Sequence, residues 1–156
     1  MKKELTDQEI LEKAASFCAY QERSERDLKN RLYKWDVTGE KAEAIIAQLK
    51  EENFLDNKRF ALAYVRGRFK LKKWGRIKIR YGLIQHGIDA EIIHEALQQL
   101  DDDQYIETLS SLLEARMKRI QNPGYKEKSS AFHYLSSKGY EGDLIADCWD
   151  KQYPDY

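Results

Sequence analysis

The chain has 156 residues, enough for one domain or a few small modules, and burial alone can hold a chain of this length without a metal or disulfide staple. Hydrophobic residues make up 42%, charged residues 35% and mean hydropathy is −0.78, while 3 Trp, 10 Tyr and 5 Phe argue for an ordered, soluble chain. The net charge is zero but uneven: residues 1–57 carry 10 basic and 13 acidic side chains, residues 58–88 carry 10 basic and none acidic, and residues 89–156 carry 7 and 14. With 2 Pro and 8 Gly the chain is neither collagen-like nor a turn-dense β-sandwich, and no run of 18 apolar residues predicts a membrane span.

Apolar residues recur at helical spacing along almost the whole chain. Ile10, Ala14, Phe17 and Cys18 form the first stripe, Leu28 and Leu32 the second, and Ile45, Ile46 and Leu49 the third. Phe60, Ala61, Tyr64 and Val65 follow, then Ile79, Leu83 and Ile84, then Ile92, Ile93, Ala96 and Leu97. Leu109, Leu112, Leu113 and Met117 come next, then Ala131 with Leu135, and finally Leu144, Ile145, Cys148 and Trp149. No segment alternates with period two, so the pattern predicts an all-α protein of about nine helices. Thr6 with Glu9 and Ser24 with Asp27 stand at capping-box spacing; Asp56 and Asp89 are placed to cap the helices of Phe60 and Ile92. Leu55 before Phe60 and Ile88 before Ile93 read as hydrophobic staples, and Gly87 and Gly139 as left-handed helix ends.

The pattern repeats. Ile79, Leu83, Gly87 and Ile93 map onto Ala131, Leu135, Gly139 and Ile145 at an offset of 52, and Leu28, Leu32 and Asp36 map onto Ile79, Leu83 and Gly87 at 51. Three tandem three-helix modules are therefore expected, over 1–53, 54–100 and 101–156, stacked into an elongated body. The N-terminal MKKELTDQEILEK has no apolar core, so no signal peptide is expected, and Cys18 and Cys148 read as buried reduced thiols of a cytoplasmic protein.

The second module carries the cationic block, which suits an anionic partner; the plainer alternative is a solvated basic face. Arg59, Arg66, Lys70 and Lys73 fall on one predicted face of the fourth helix, Arg76 and Arg80 form an i, i+4 pair on the fifth, and Arg68, Lys72 and Lys78 flank them. Phosphates or carboxylates would accept such a surface. No helix carries a set of side chains suited to reading base edges, so contact with single- or double-stranded DNA should be weak and tolerant of sequence. Trp74 could stack on a base or a partner side chain, or serve as a buried hinge. Enzyme patterns are poor: Glu91 and His94 give half of a di-iron helix motif with no second copy, and Asp101–Asp103 sits at a helix start where acids oppose the dipole. His86, His94 and His133 are scattered, and Gly39-Glu40-Lys41 lacks the glycines of a phosphate loop. No catalytic residue, metal or cofactor is predicted.

Three stretches resemble the RecX family of recombination regulators. SERDLKNRL at Ser24–Leu32 is similar to the family's S-x-x-E-L-x-x-x-L opening, and FLDNKRFALAYVRGR at Phe54–Arg68 to its acidic cap followed by R-F-A and an aromatic-Val pair. GRIKIRYGLIQHGID at Gly75–Asp89 resembles its G-x-x-R-I-x-x-E-L-x-x-K-G-I. Gly82 stands where that pattern has Glu, His86 where it has a basic residue, and Asp27 where it has Glu. The resemblance implies a small monomeric all-α protein that binds the RecA–DNA filament in its helical groove and modulates filament growth and ATP turnover, usually as an inhibitor. The rival reading is a helical module that acts on DNA directly, without RecA.

Overall fold

The computed structural model describes residues 4–154; residues 1–3, where the stretch read as lacking a signal peptide begins, and 155–156, the end of the third expected module, lie outside the described residues. Among the described residues there are nine α-helices and no strand: α1 (Asp7–Tyr20), α2 (Glu25–Lys34), α3 (Gly39–Glu51), α4 (Asn57–Lys72), α5 (Arg76–Gln85), α6 (Ala90–Leu97), α7 (Asp102–Met117), α8 (Tyr125–Ser137) and α9 (Gly142–Gln152). None of these helices is long and apolar enough to cross a membrane. The close helix pairings all fall within three trios, α1–α3, α4–α6 and α7–α9. The trios follow one another in an elongated body whose 10602 Å² of surface exceeds the roughly 8,200 Å² expected of a compact monomer of 18.4 kDa.

The helix ends explain much of the repeat. Asp36 (φ 60°), Gly87 (φ 77°) and Gly139 (φ 99°) are all left-handed and occupy the same place after the second helix of each trio. Ser24 and Asp27 form a complete capping box, with Ser24 Oγ accepting from Asp27 N at 3.0 Å and Asp27 Oδ2 from Ser24 N at 3.0 Å. Asp56 Oδ1 accepts from the amides of Lys58 and Arg59 at the start of α4. Two expectations need correcting. Thr6 caps Glu9 N, but the Glu9 carboxylate turns to the Thr6 hydroxyl instead of the backbone. Asp89 has the extended backbone of a cap and makes no side-chain cap bond.

Burial divides the chain unequally. Ile10, Ala14, Leu28, Leu32, Val37 and Leu49 belong to a first core confined to α1–α3 and the segment that follows. Leu55 packs in that core while Phe60 packs in the next, so the expected staple between them does not form, whereas Ile88 and Ile93 do share a core. The second and third trios have one continuous core running from Phe60 through Tyr105, Leu109 and Tyr140 to Trp149. Full burial of such a side chain contributes about 1.5–3 kcal/mol each. Cys18 and Cys148 are buried free thiols, and burial pushes Cys18 up to about 11. Each trio holds one indole: Trp35 is half-buried beneath Lys13, Trp74 half-buried, and Trp149 fully buried beside Tyr153 and Phe132.

Candidate nucleic-acid interface

α4 buries Phe60, Ala61, Val65 and Phe69 on one face, which turns Arg66 and Lys70 outward. The helix ends at Lys73, whose left-handed backbone (φ 57°) redirects the chain through Trp74 to Gly75, the N-cap of α5. That turn is held by the third trio. Tyr140 Oη donates to the Lys73 carbonyl at 2.8 Å, and Gly75 N and Ile77 N donate to the carbonyls of Lys138 and Gly139 at 2.8 and 3.0 Å. A Cβ on Gly75 would overlap the Gly139 backbone, so glycine is required where these two segments meet.

The nine basic residues singled out by the sequence separate into three groups. Arg66, Lys70, Lys72, Lys73 and Arg80 are exposed, and none of them is in an ion pair among the described residues. Arg59 and Arg76 are braces. Arg59 Nε meets Glu22 Oε1 at 2.7 Å and its Nη2 the Asn53 carbonyl at 3.0 Å. Arg76 bonds Glu141 at 2.9 Å and Asp102 at 2.8 Å while lying 3.8 Å from the Tyr105 ring centre. The single exposed stripe expected from Arg59 to Lys73 is therefore shorter, because its first member turns to the first trio and its last lies beyond the helix. Arg68 and Lys78 form the third group, with their cationic ends 5.2 and 4.5 Å from the Trp74 ring centre. Trp74 thus lies against two cations and packs on the core, which favours a structural hinge over an open stacking platform.

Behind Arg76, Tyr105 Oη donates to Glu141 and accepts from Arg76 N at 2.9 Å. Burial, then the Glu141 bond, raises the Tyr105 hydroxyl well above its ordinary range; burial, then the Glu141 charge, does the same to Tyr140. Two of the acids at the start of α7, and His94, have other partners. Asp101 caps Gln104 N at 2.9 Å, Asp102 pairs with Arg76, and exposed His94 lies 3.0 Å from Gln98 Nε2. Among the described residues no group of three or more His, Cys, Asp or Glu is placed to hold a metal ion.

Sequence reasoning missed two features. Ile77, Tyr81 and Ile84 form an exposed apolar stripe on α5, 50%, 63% and 53% exposed, so Ile84 does not belong to the core stripe to which its spacing assigned it. The second is a cleft of about 530 Å³ between the first and second trios. Its first-trio wall carries Phe17, Arg23, Arg31 and Lys34, and its α4 wall carries Tyr64, Gly67, Arg68 and Lys72. Arg23 and Arg31 lie 3.9 and 4.8 Å from the Phe17 ring centre, and Arg68 lies 4.8 Å from that of Tyr64. At its back His86 Nδ1 meets Asp27 Oδ1 at 2.8 Å. The Tyr64 ring lies over Gly82, where a Cβ would overlap the phenol, which accounts for glycine at that departure from the family pattern. Gly67, by contrast, sits inside α4 with nothing within 4 Å of where its Cβ would be. Glycine in a helix interior costs about 1 kcal/mol relative to alanine, and packing does not require it here.

Family models match at residues 56–97, the second three-helix domain of RecX, and at 102–149, its third three-helix domain. The regulatory protein RecX of Lactobacillus johnsonii is 30% identical over 154 residues, covering 96% of this chain and 57% of that protein. Its counterpart in Clostridium botulinum strain Alaska E43 is 34% identical over 131 residues, covering 80% and 59%. The chain thus spans 57–59% of the length of these curated relatives. A crystal structure of RecX from Lactobacillus salivarius shares the fold at TM-score 0.84 and 23% identity, over 93% of this chain and 95% of that one. A second crystal structure, of a regulatory protein RecX, matches at TM-score 0.77 and 26% identity over 90% and 73%.

Proposed function

Since this chain belongs to the RecX family, whose members are named as regulatory proteins, we propose that it regulates RecA recombinase by binding the groove of the RecA–DNA filament. There it modulates filament growth, ATP turnover and strand exchange, usually as an inhibitor, and it does so as a cytoplasmic monomer with no catalysis of its own. The observation that supports this reading is the set of five exposed cations on α4, α5 and the turn between them, in no ion pair among the described residues and within a run of 31 residues that holds no carboxylate. A groove lined by phosphates and acidic side chains attracts that surface, and nothing on it needs neutralising first.

Reversal of Arg66, Lys70 and Lys73 to Glu tests the reading. All three are exposed and the buried face of α4 is untouched, so the circular-dichroism spectrum should not change. Affinity for the RecA filament should fall at least about a hundredfold, roughly 2.7 kcal/mol. The matched control is Lys118, Arg119 and Lys126 to Glu, all exposed on the third trio; Lys128 is unsuitable because it is half-buried, 5.7 Å from the Trp149 ring centre. Equal loss in both triples would mean that the basic block is not a localised site. A second reading, direct action on DNA, is favoured by the cations lining the cleft between the first two trios. The readings separate at a salt concentration that abolishes binding to bare DNA: an effect on RecA ATPase that persists there belongs to the filament.

A further inference from the structure

We propose that the cleft between the first and second trios takes up one unstacked nucleobase of a single strand, with Gly67 as its floor and Arg31, Lys34 and Lys72 meeting the flanking phosphates. The inference rests on the reading that this chain meets DNA, and not on its action on RecA.

Four observations converge. Gly67 is unexplained by the fold: it lies inside α4, its backbone is ordinary, and no neighbour would touch a Cβ there. Glycine at such a place is what the close approach of a ligand to the helix surface requires. Second, the cleft is electrostatically open to anions. Of its two carboxylates, Glu22 is paired with Arg59 and Asp27 with His86, whereas Arg23, Arg31, Lys34, Arg68 and Lys72 are in no ion pair among the described residues. Third, its walls present planar groups, the guanidinium groups over Phe17 and Tyr64, and exposed bases stack on arginine planes as well as on aromatic rings. Fourth, the buried side-chain polar atoms without a partner among the described residues, Glu22 Oε2 and Arg68 Nε, both belong to side chains that line this cleft. One accepts and the other donates, as the edge of a base does. Both are covered in the free protein, so a base meets them only as their side chains turn outward.

The volume, about 530 Å³, is in the range of small-ligand pockets. An extended peptide suits the cleft less well, because most of its lining residues lie on helices, which offer no strand edge to extend.

The test uses the full chain without RecA. Fluorescence anisotropy compares an oligothymidylate with an abasic strand of the same length. The wild type should bind the base-bearing strand about tenfold tighter, the scale of one stacked base. Gly67→Leu fills the cleft from a position with free space, so the helical spectrum and melting temperature should hold, while the preference for oligothymidylate disappears and affinity for the abasic strand stays. Equal wild-type affinity for the two strands overturns the proposal, as does a Gly67→Leu variant that keeps the preference. A variant that loses both strands equally also overturns it, since the cleft would then serve phosphates alone. If Gly67→Leu leaves strand binding intact and weakens binding to RecA filaments, the occupant is a protein segment and the proposal fails. A preference removed by Gly67→Leu, in a protein that leaves RecA ATPase unchanged, supports the cleft and sinks the filament reading.

Discussion

Where the first trio meets the second, the contacts are polar: Glu22 with Arg59 at 2.7 Å, Asp27 with His86 at 2.8 Å, Glu25 N donating to Asn57 Oδ1 at 3.0 Å and Arg26 to the Gln85 carbonyl at 3.2 Å. Where the second meets the third, a single hydrophobic core crosses the boundary, backbone bonds backbone at Gly75 and Gly139, and Arg76, Tyr105 and Glu141 close the seam. The repeat in the sequence makes the two joints equivalent, yet their chemistry is not. Partly exposed ion pairs are individually weak and sensitive to salt, while a shared core is lost only by exposing apolar surface. The last two trios should behave as one body and the first as a body attached to it, with the cleft lying at the weaker joint.

The contrast is broken most directly at the seam. Gly75→Ala places a methyl group into the Gly139 backbone, and the two trios must separate or shift. A loss of about 3 kcal/mol, at the upper end for overpacking, is expected in urea unfolding; a loss below 1 kcal/mol would show that the seam yields and is not a weld. Tyr105→Phe is the next largest. It removes the acceptor of Arg76 N and the donor to Glu141 inside the seam, and about 2 kcal/mol should be lost at neutral pH. The same hydroxyl sets an alkaline limit. Its folded-state value is raised, so its contribution is complete below the unfolded tyrosine value of about 10 and is lost as pH rises beyond it. Stability of the wild type measured across that range should fall more steeply than that of Tyr105→Phe. The smallest effect belongs to the first joint. A double-mutant cycle on Glu22 and Arg59, their side chains 34% and 41% exposed, should give a coupling under about 1 kcal/mol that shrinks with salt. A larger, salt-insensitive coupling would make the two joints alike.

The helical periodicity and the turn positions were legible because they are local. Leu28, Leu32 and Asp36 carry their structure within about two turns of chain, and the left-handed Asp36 follows from its alignment with Gly87 and Gly139. The outcome of each arginine was not legible. Arg59, Arg66 and Arg76 look alike in a charge count, but Glu22 stands 37 residues from Arg59, and Asp102 and Glu141 stand 26 and 65 residues from Arg76. Only the packing of the trios decides which cations are consumed as braces and which stay free. The cleft was hidden for the same reason. Its first-trio cations lie in a segment whose net charge is negative, and Gly67 interrupts neither the periodicity nor the helix. Ile84 was misplaced because α5 is apolar on two faces, so spacing alone does not choose between them.

The one-per-trio placement of tryptophan makes the molecule its own optical map. Trp149 is sealed from water and should emit at short wavelength, whereas half-buried Trp35 sits in the first trio and reports on that part alone. Excitation of the native chain therefore superposes a signal from each side of the weak joint. In a Trp74→Phe variant, which leaves one indole on each side of that joint, the red edge of the emission will respond to denaturant ahead of the blue edge if the first trio detaches before the rest melts, and the protein will disclose the order of its unfolding without any label attached to it.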